Sequence, residues 1–205
     1  MGAEGVQQVN HLILQQAEEY GFADPALVSG DTTAQELPIG YPNEPGILRG
    51  LAQRCLRALV RLSQKGVAAV EETIQQAKAV LKSVKQYHLF AKQKKEKDLL
   101  LRRIIEQTQE LIRGASGVVE TVRQSPDRVQ KSACQKLLRM KQVAETLIPQ
   151  IVQWISTGVV AKGKIVHAGI TQARAIVRNK VGKKVEFGLK YLINRIGEAM
   201  CLASW

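Results

Sequence analysis

The sequence predicts an α+β fold that is predominantly helical. Three observations lead there. Apolar residues from Ile47 to about Ser156 recur at three- and four-residue spacing, the mark of amphipathic helices. Shorter, β-compatible runs stand before and after that block. Aromatic residues make up only 4% of the 205 residues against a hydrophobic share of 45%, and an aliphatic core of that kind suits helix packing better than a β-sandwich. The expected layout is a strand near 26–31 and a hairpin near 164–196, separated by a long antiparallel helical insertion.

Val6, Val9, Ile13 and Ala17 define a short amphipathic helix ending near Gly21. Pro25 and Gly30 bracket Ala26-Leu27-Val28-Ser29, a short run that reads as a buried strand with Asp31 at its end. Proline and glycine between Leu37 and Gly46 forbid a helix and give an extended loop. A long helix is expected from Ile47 to about Tyr87, and Lys92–Lys97 forms a solvated turn. A second helix runs through Leu100, Ile104, Leu111, Val118 and Val122 and stops at Ser125-Pro126-Asp127. A third follows from Asp127 to about Ser156, with Pro149 expected to kink or shorten it. Three such helices pack as an antiparallel bundle. Lys164–Ile170 and Ala173–Arg178 are β-compatible, and Val185, Phe187, Leu189, Tyr191 and Ile193 alternate as on a half-buried strand. Gly182 suits the positive φ of a hairpin connection. The chain thus divides into 1–46, a helical block 47–157, a basic hairpin 158–197 and a tail 198–205.

Charge is strongly uneven. All 30 Lys and Arg lie at or beyond Arg49, where only 11 of the 18 acids are found, and the net charge is +12. A basic body of this kind favours a polyanionic partner. From Lys162 to Arg195 nine basic residues face a single acid, Glu186; Arg174, Arg178, Lys180, Lys183, Lys184 and Lys190 are the candidate DNA-binding residues. Cys55, Cys134 and Cys201 are odd in number and far apart, which argues against a disulfide framework or a zinc site and for a cytoplasmic setting. No secretory signal is visible, and no run of 18 apolar residues predicts a membrane span.

Other motifs are weak. Gly158-Val159-Val160-Ala161-Lys162-Gly163-Lys164 fits the opening of a phosphate-binding loop, yet Ile165 stands where a Mg²⁺-reaching hydroxyl is needed. His11, His88 and His167 show no metal-ligand spacing. Asp31 alone, in Ser-Gly-Asp-Thr-Thr, reads as a turn or cap residue. At the end of a buried strand, however, a carboxylate can hold a divalent ion rigidly.

Two blocks carry a family resemblance. Val28-Ser29-Gly30-Asp31-Thr32-Thr33 with the following Tyr41-Pro42-Asn43-Glu44 loop and helix resembles the first catalytic block of bacterial insertion-sequence transposases of the DDE class. Arg178-Asn179-Lys180-Val181-Gly182-Lys183-Lys184-Val185-Glu186-Phe187-Gly188 resembles a second block, the basic hairpin of the same family. The resemblance spans most of residues 20–197. It implies a partial ribonuclease H-like sheet, with Asp31 as the first of three carboxylates that bind Mg²⁺ or Mn²⁺ in the intact family. It also implies transposon-end DNA as partner, and association with a second copy or a full-length transposase. The second Asp and the Glu find no counterpart before Trp205, and the family's N-terminal DNA-binding region is absent. The expectation is therefore a truncated transposase that holds no metal stably and is inactive alone. The rival expectation is a basic helical module that binds nucleic acid or protein without catalysis.

Overall fold

The computed structural model describes residues 3–22, 28–180, 183–196 and 199–204. They form α1 (Ala3–Glu19), β1 (Val28–Glu36), α2 (Glu44–Gln64), a 3-10 turn (Ala68–Val70), α3 (Glu71–Phe90), α4 (Lys94–Val122), α5 (Arg128–Thr157), β2 (Arg174–Lys180), β3 (Lys183–Ile196) and β4 (Ala199–Ser204). The architecture is mostly helical with a small antiparallel sheet, an α+β arrangement. It divides into a helical unit, Ile39–Arg174, and a sheet unit made of Met1–Pro38 with Ala175–Trp205. The helical unit takes in residues after α5 as well, of which Ile165 and Ala168 join its core.

In the helical unit, Asn43 caps α2 by accepting a 2.7 Å hydrogen bond from the Gly46 amide, and Pro45 sits in the first turn, where its missing N–H costs nothing. The single helix expected from Ile47 to about Tyr87 is instead two. Gly66 takes φ +77° and its amide donates to the Ser63 carbonyl at 2.9 Å, which ends α2 and reverses the chain. The bundle therefore has four helices rather than three. Glu96 accepts from the Lys92 and Gln93 amides at 3.1 and 3.3 Å and so starts α4. Asp127 starts α5 by accepting from Val129 and Gln130 at 2.6 and 3.0 Å. Pro149 does not end α5, which runs on to Thr157, where Gly158 at φ +69° closes it.

The pairs α2–α3, α3–α4, α4–α5 and α5–α2 all touch, so the four helices close a ring. Its core is continuous and aliphatic: Leu48, Leu51, Leu59, Ile104, Leu111, Leu137, Leu147 and Ile151 are all at most 1% exposed. Cys55 lies within it, and burial pushes its thiol up to about 12.

Lys164–Ile170, expected as strand, forms turns that lie against the bundle. Gly163 has φ +67°, and His167 Nδ1 accepts from the Gly169 and Ile170 amides at 3.3 and 3.1 Å, which folds the backbone back on itself. Ile165 and Ala168 join the helical core, the Ile165 amide donates to Gln150 Oε1 at 3.0 Å, and Lys164 pairs with Glu44. The hairpin therefore begins at Arg174, not near 164. Gly158–Lys164 follows a helix and precedes turns, and Lys164 is already paired, so the phosphate-loop geometry is not formed.

In the sheet unit, the fourteen-residue β3 is central. β1 runs antiparallel to it, from Val28 opposite Ile196 to Glu36 opposite Gly188. β4 also pairs with β3, from Tyr191 opposite Ser204 to Ile196 opposite Ala199, so the residues read as a tail belong to the sheet. A strand has two edges, which puts β1 and β4 on opposite sides of β3. β2 is the remaining neighbour of β3. Gly182, expected at the hairpin turn, lies outside the described residues.

Candidate nucleic-acid interface

Asp31 is not at a strand end. It is the fourth residue of β1, paired with Ile193, and the ladder continues through Thr32, Thr33, Ala34 and Gln35 to Glu36. The extension has a local cause: Thr32 and Thr33 are β-branched and suit a pleated ladder, and β3 is long enough to template the whole of β1. The β3 residues facing Asp31 and its neighbours are Leu192, Ile193 and Asn194, none of them a carboxylate. Glu36, the other acid of β1, is five positions away. Among the described residues no group of three His, Cys, Asp or Glu side chains comes together. Among the described residues the three-carboxylate set of a two-metal centre is not brought together.

The basic candidates fall in two places. Arg178 and Lys180 lie on β2, Lys183 and Lys184 open β3, and Lys190 stands exposed on β3 opposite Ala34, all in the sheet unit. Arg174 opens β2 but is the last residue of the helical unit. Its guanidinium donates to the carbonyls of Thr171 and Ala173, which ties it to the turn segment after α5.

No protein-family model, curated protein or solved structure matches the chain.

The helical unit holds basic residues that charge runs along the sequence do not single out. Arg54, Arg57 and Arg61 of α2 and Lys136 and Arg139 of α5 line one cavity of about 270 Å³, floored by Ala58 and Met140. Their spacing is the signal that could have found them: i, i+3 and i+7 on α2 and i, i+3 on α5 put each set on one helix face. Among the described residues no acid lines the cavity. The described ion pairs, Lys65–Asp127, Arg123–Glu120 and Lys164–Glu44, involve none of the five. Arg57 Nε donates to the Gln53 carbonyl at 3.3 Å within its own helix. Arg54 Nε is buried without an acceptor. Burial, then the charges of Arg57 and Arg139, hold the Arg54 guanidinium below its ordinary value. His167 is likewise pushed down, by burial and then by Arg54, which favours its neutral form beside the cluster.

Arg139 is shared with a second cavity of about 370 Å³, which Arg174 also lines. Gln142, Thr146, Thr171 and Gln172 add neutral donors to that wall, beside Val143, Gly163 and Ile165. The two cavities make a cationic track on the helical unit. No helix among the described residues is long and apolar enough to cross a membrane.

Proposed function

We propose that this chain is a DDE-transposase-related DNA-binding protein that does not cleave DNA strands by itself. One observation carries the proposal. In the two blocks that resemble the transposase family Asp31 and Val185 are 154 positions apart, yet the strand holding Asp31 is the direct antiparallel partner of the strand holding Val185-Glu186-Phe187-Gly188. That adjacency is what two pieces of one ribonuclease H-like sheet require, with the helical unit as an insertion between them.

In this reading Asp31 is the first of the three family carboxylates. In the intact family Asp31 with two further carboxylates would hold Mg²⁺ or Mn²⁺, which would supply activation of water or a 3′-hydroxyl for attack on a phosphodiester. Asp31 alone cannot position two ions, and the role assigned to the basic residues is binding. Arg178, Lys180, Lys183, Lys184 and Lys190 neutralise phosphates of transposon-end DNA without reading sequence. A second copy or a full-length transposase is the protein partner, and the cytoplasm is the compartment.

The test is duplex binding followed across a salt series, with strand nicking assayed in Mg²⁺ and Mn²⁺. Retention should fall steeply with salt, and Lys180→Glu with Lys190→Glu should flatten the slope by about 0.9 for each phosphate no longer neutralised. No retention at low salt removes the DNA reading. Nicking that depends on Asp31 removes the claim of inactivity. The DNA beyond codon 205 tests the family assignment: a frame there encoding a strand-borne Asp and a later Glu supports it.

A second reading, a basic binding module with no transposase ancestry, is favoured by the cationic track of the helical unit. It predicts that duplex binding survives Lys180→Glu with Lys190→Glu.

A further inference from the structure

We propose that the α2–α5 cavity seats a backbone phosphate of a nucleic-acid strand, and that the adjoining cavity across Arg139 takes the next one along the strand. The α2–α5 cavity uses none of the sheet-borne basic residues, and the adjoining one uses only Arg174, the first residue of β2; the proposal shares with the transposase reading the class of ligand.

The first argument is electrostatic. Arg54, Arg57, Arg61, Lys136 and Arg139 converge on one concavity with no lining carboxylate and no ion pair among the described residues. Like charges in a partly desolvated concavity repel, and an anion placed among them relieves that repulsion. The second argument concerns a donor. Arg54 Nε is buried with no acceptor, a costly arrangement that an incoming anion can offset by drawing the guanidinium into a hydrogen bond.

The third argument is shape. Gly169 closes one side of the first cavity. A Cβ at Gly169 would fall 1.7 Å from an Arg54 terminal nitrogen, so the guanidinium occupies space that only a glycine leaves open. The turn that brings Gly169 there is pinned by His167 Nδ1, and neutral His167 leaves that acceptor available. Arginine presents a planar fork matched to phosphate oxygens, and four of the five cations are arginines.

The choice of a strand over a free phosphate rests on the shared wall. A lone phosphate needs one cavity; here two adjoin through Arg139, the second carrying Arg174 and neutral donors suited to sugar and phosphate oxygens.

Fluorescence anisotropy with a short labelled single-stranded oligodeoxynucleotide tests this on the full chain. The pocket variant is Arg57→Ser with Arg139→Ser, both exposed side chains. The charge-matched control is Lys78→Ser with Lys82→Ser on exposed positions of α3. The pocket variant should weaken binding at least about tenfold and lower the salt slope by about 0.7 for each phosphate no longer neutralised, while the control changes affinity less than about twofold. Equal weakening by the two variants overturns the proposal, since net charge alone then explains binding. Inorganic tripolyphosphate that binds wild type but not the pocket variant, with oligonucleotide affinity unmoved, also overturns it in favour of a small phosphate ligand. Poly-glutamate that displaces the oligonucleotide as well as a nucleic-acid competitor does so in favour of an acidic protein. Lys180→Ser with Lys190→Ser separates the two sites. If that variant alone abolishes binding, the sheet-borne interface stands and the pocket falls; if only the pocket variant does, the reverse holds. The pocket variant's thermal melt should match or exceed wild type, because it removes like charges.

Discussion

At the scale of the residue, Gly188 and Asp127 carry constraints of different kinds. Gly188 sits opposite Glu36, and a Cβ there would lie 2.0 Å from the Gln35 carbonyl oxygen. The obstacle is backbone, which cannot swing aside, so β1 and β3 would have to separate. Gly188→Ala should cost about 1–3 kcal/mol, the usual range for overpacking, seen as a lower denaturation midpoint with an unchanged slope. Asp127 is held below its ordinary value by the Gln130 amide first, then by Lys65, 3.2 Å away, and the Val129 amide. A carboxylate with a depressed folded-state pKa contributes stability that is complete above the unfolded value, about 3.9, and is lost as pH falls through the lower folded one. Asp127→Asn keeps the capping oxygen and removes the charge. Wild type should therefore melt higher near neutrality, and the gap should close on acidification; a gap independent of pH would show that the ionised form contributes nothing.

At the scale of the element, Gly66 decides whether α2 and α3 are one helix or two. Nothing lies within 4 Å of a Cβ built there, so unlike Gly188 its requirement is purely conformational. Gly66→Ala should cost about 1–2 kcal/mol from the left-handed backbone alone, and Gly66→Asn should cost less, as chemical denaturation will measure. This break was not legible from periodicity because Leu59, Leu62, Val70 and Ile74 keep apolar spacing across it; only the Lys65-Gly66 pair marks the turn. The reverse happened at Pro149, where a breaker stands inside a helix that persists. Leu147 and Ile151 are fully buried on either side, so packing outweighs the lost backbone bond. The strand pattern of Val185–Ile193 was legible from alternation. The continuation of β1 through Asp31 was not, since Gly30 and Asp31 read locally as turn residues and only pairing with a distant strand extends them. The basic track was missed for a related reason: Arg54 and Arg139 are 85 positions apart, and their convergence depends on α2 lying against α5.

At the scale of the whole molecule, the two units differ in how they are connected in sequence. The sheet unit draws on both ends of the chain, so its pairing of β1 with β3 must wait for segments separated by the entire helical block to meet. The helical unit is one continuous segment with short connections, and its main hydrophobic cluster, from Ile47 to Ala168, lies wholly inside it. Among the described residues that cluster draws only on the helical unit, and the Asn43, Glu96 and Asp127 caps are internal as well. The segment 39–174 should accordingly fold alone, with strongly helical circular dichroism and a single cooperative thermal transition. It also contains every cationic residue of both cavities, from Arg54 to Arg174. If it folds, it should bind the labelled oligonucleotide with the same loss on Arg57→Ser with Arg139→Ser as the full chain shows. A cooperative segment that binds nothing would assign nucleic-acid binding to the sheet unit. A segment without a cooperative transition would mean that the bundle core depends on residues outside 39–174, against the closure of its hydrophobic cluster.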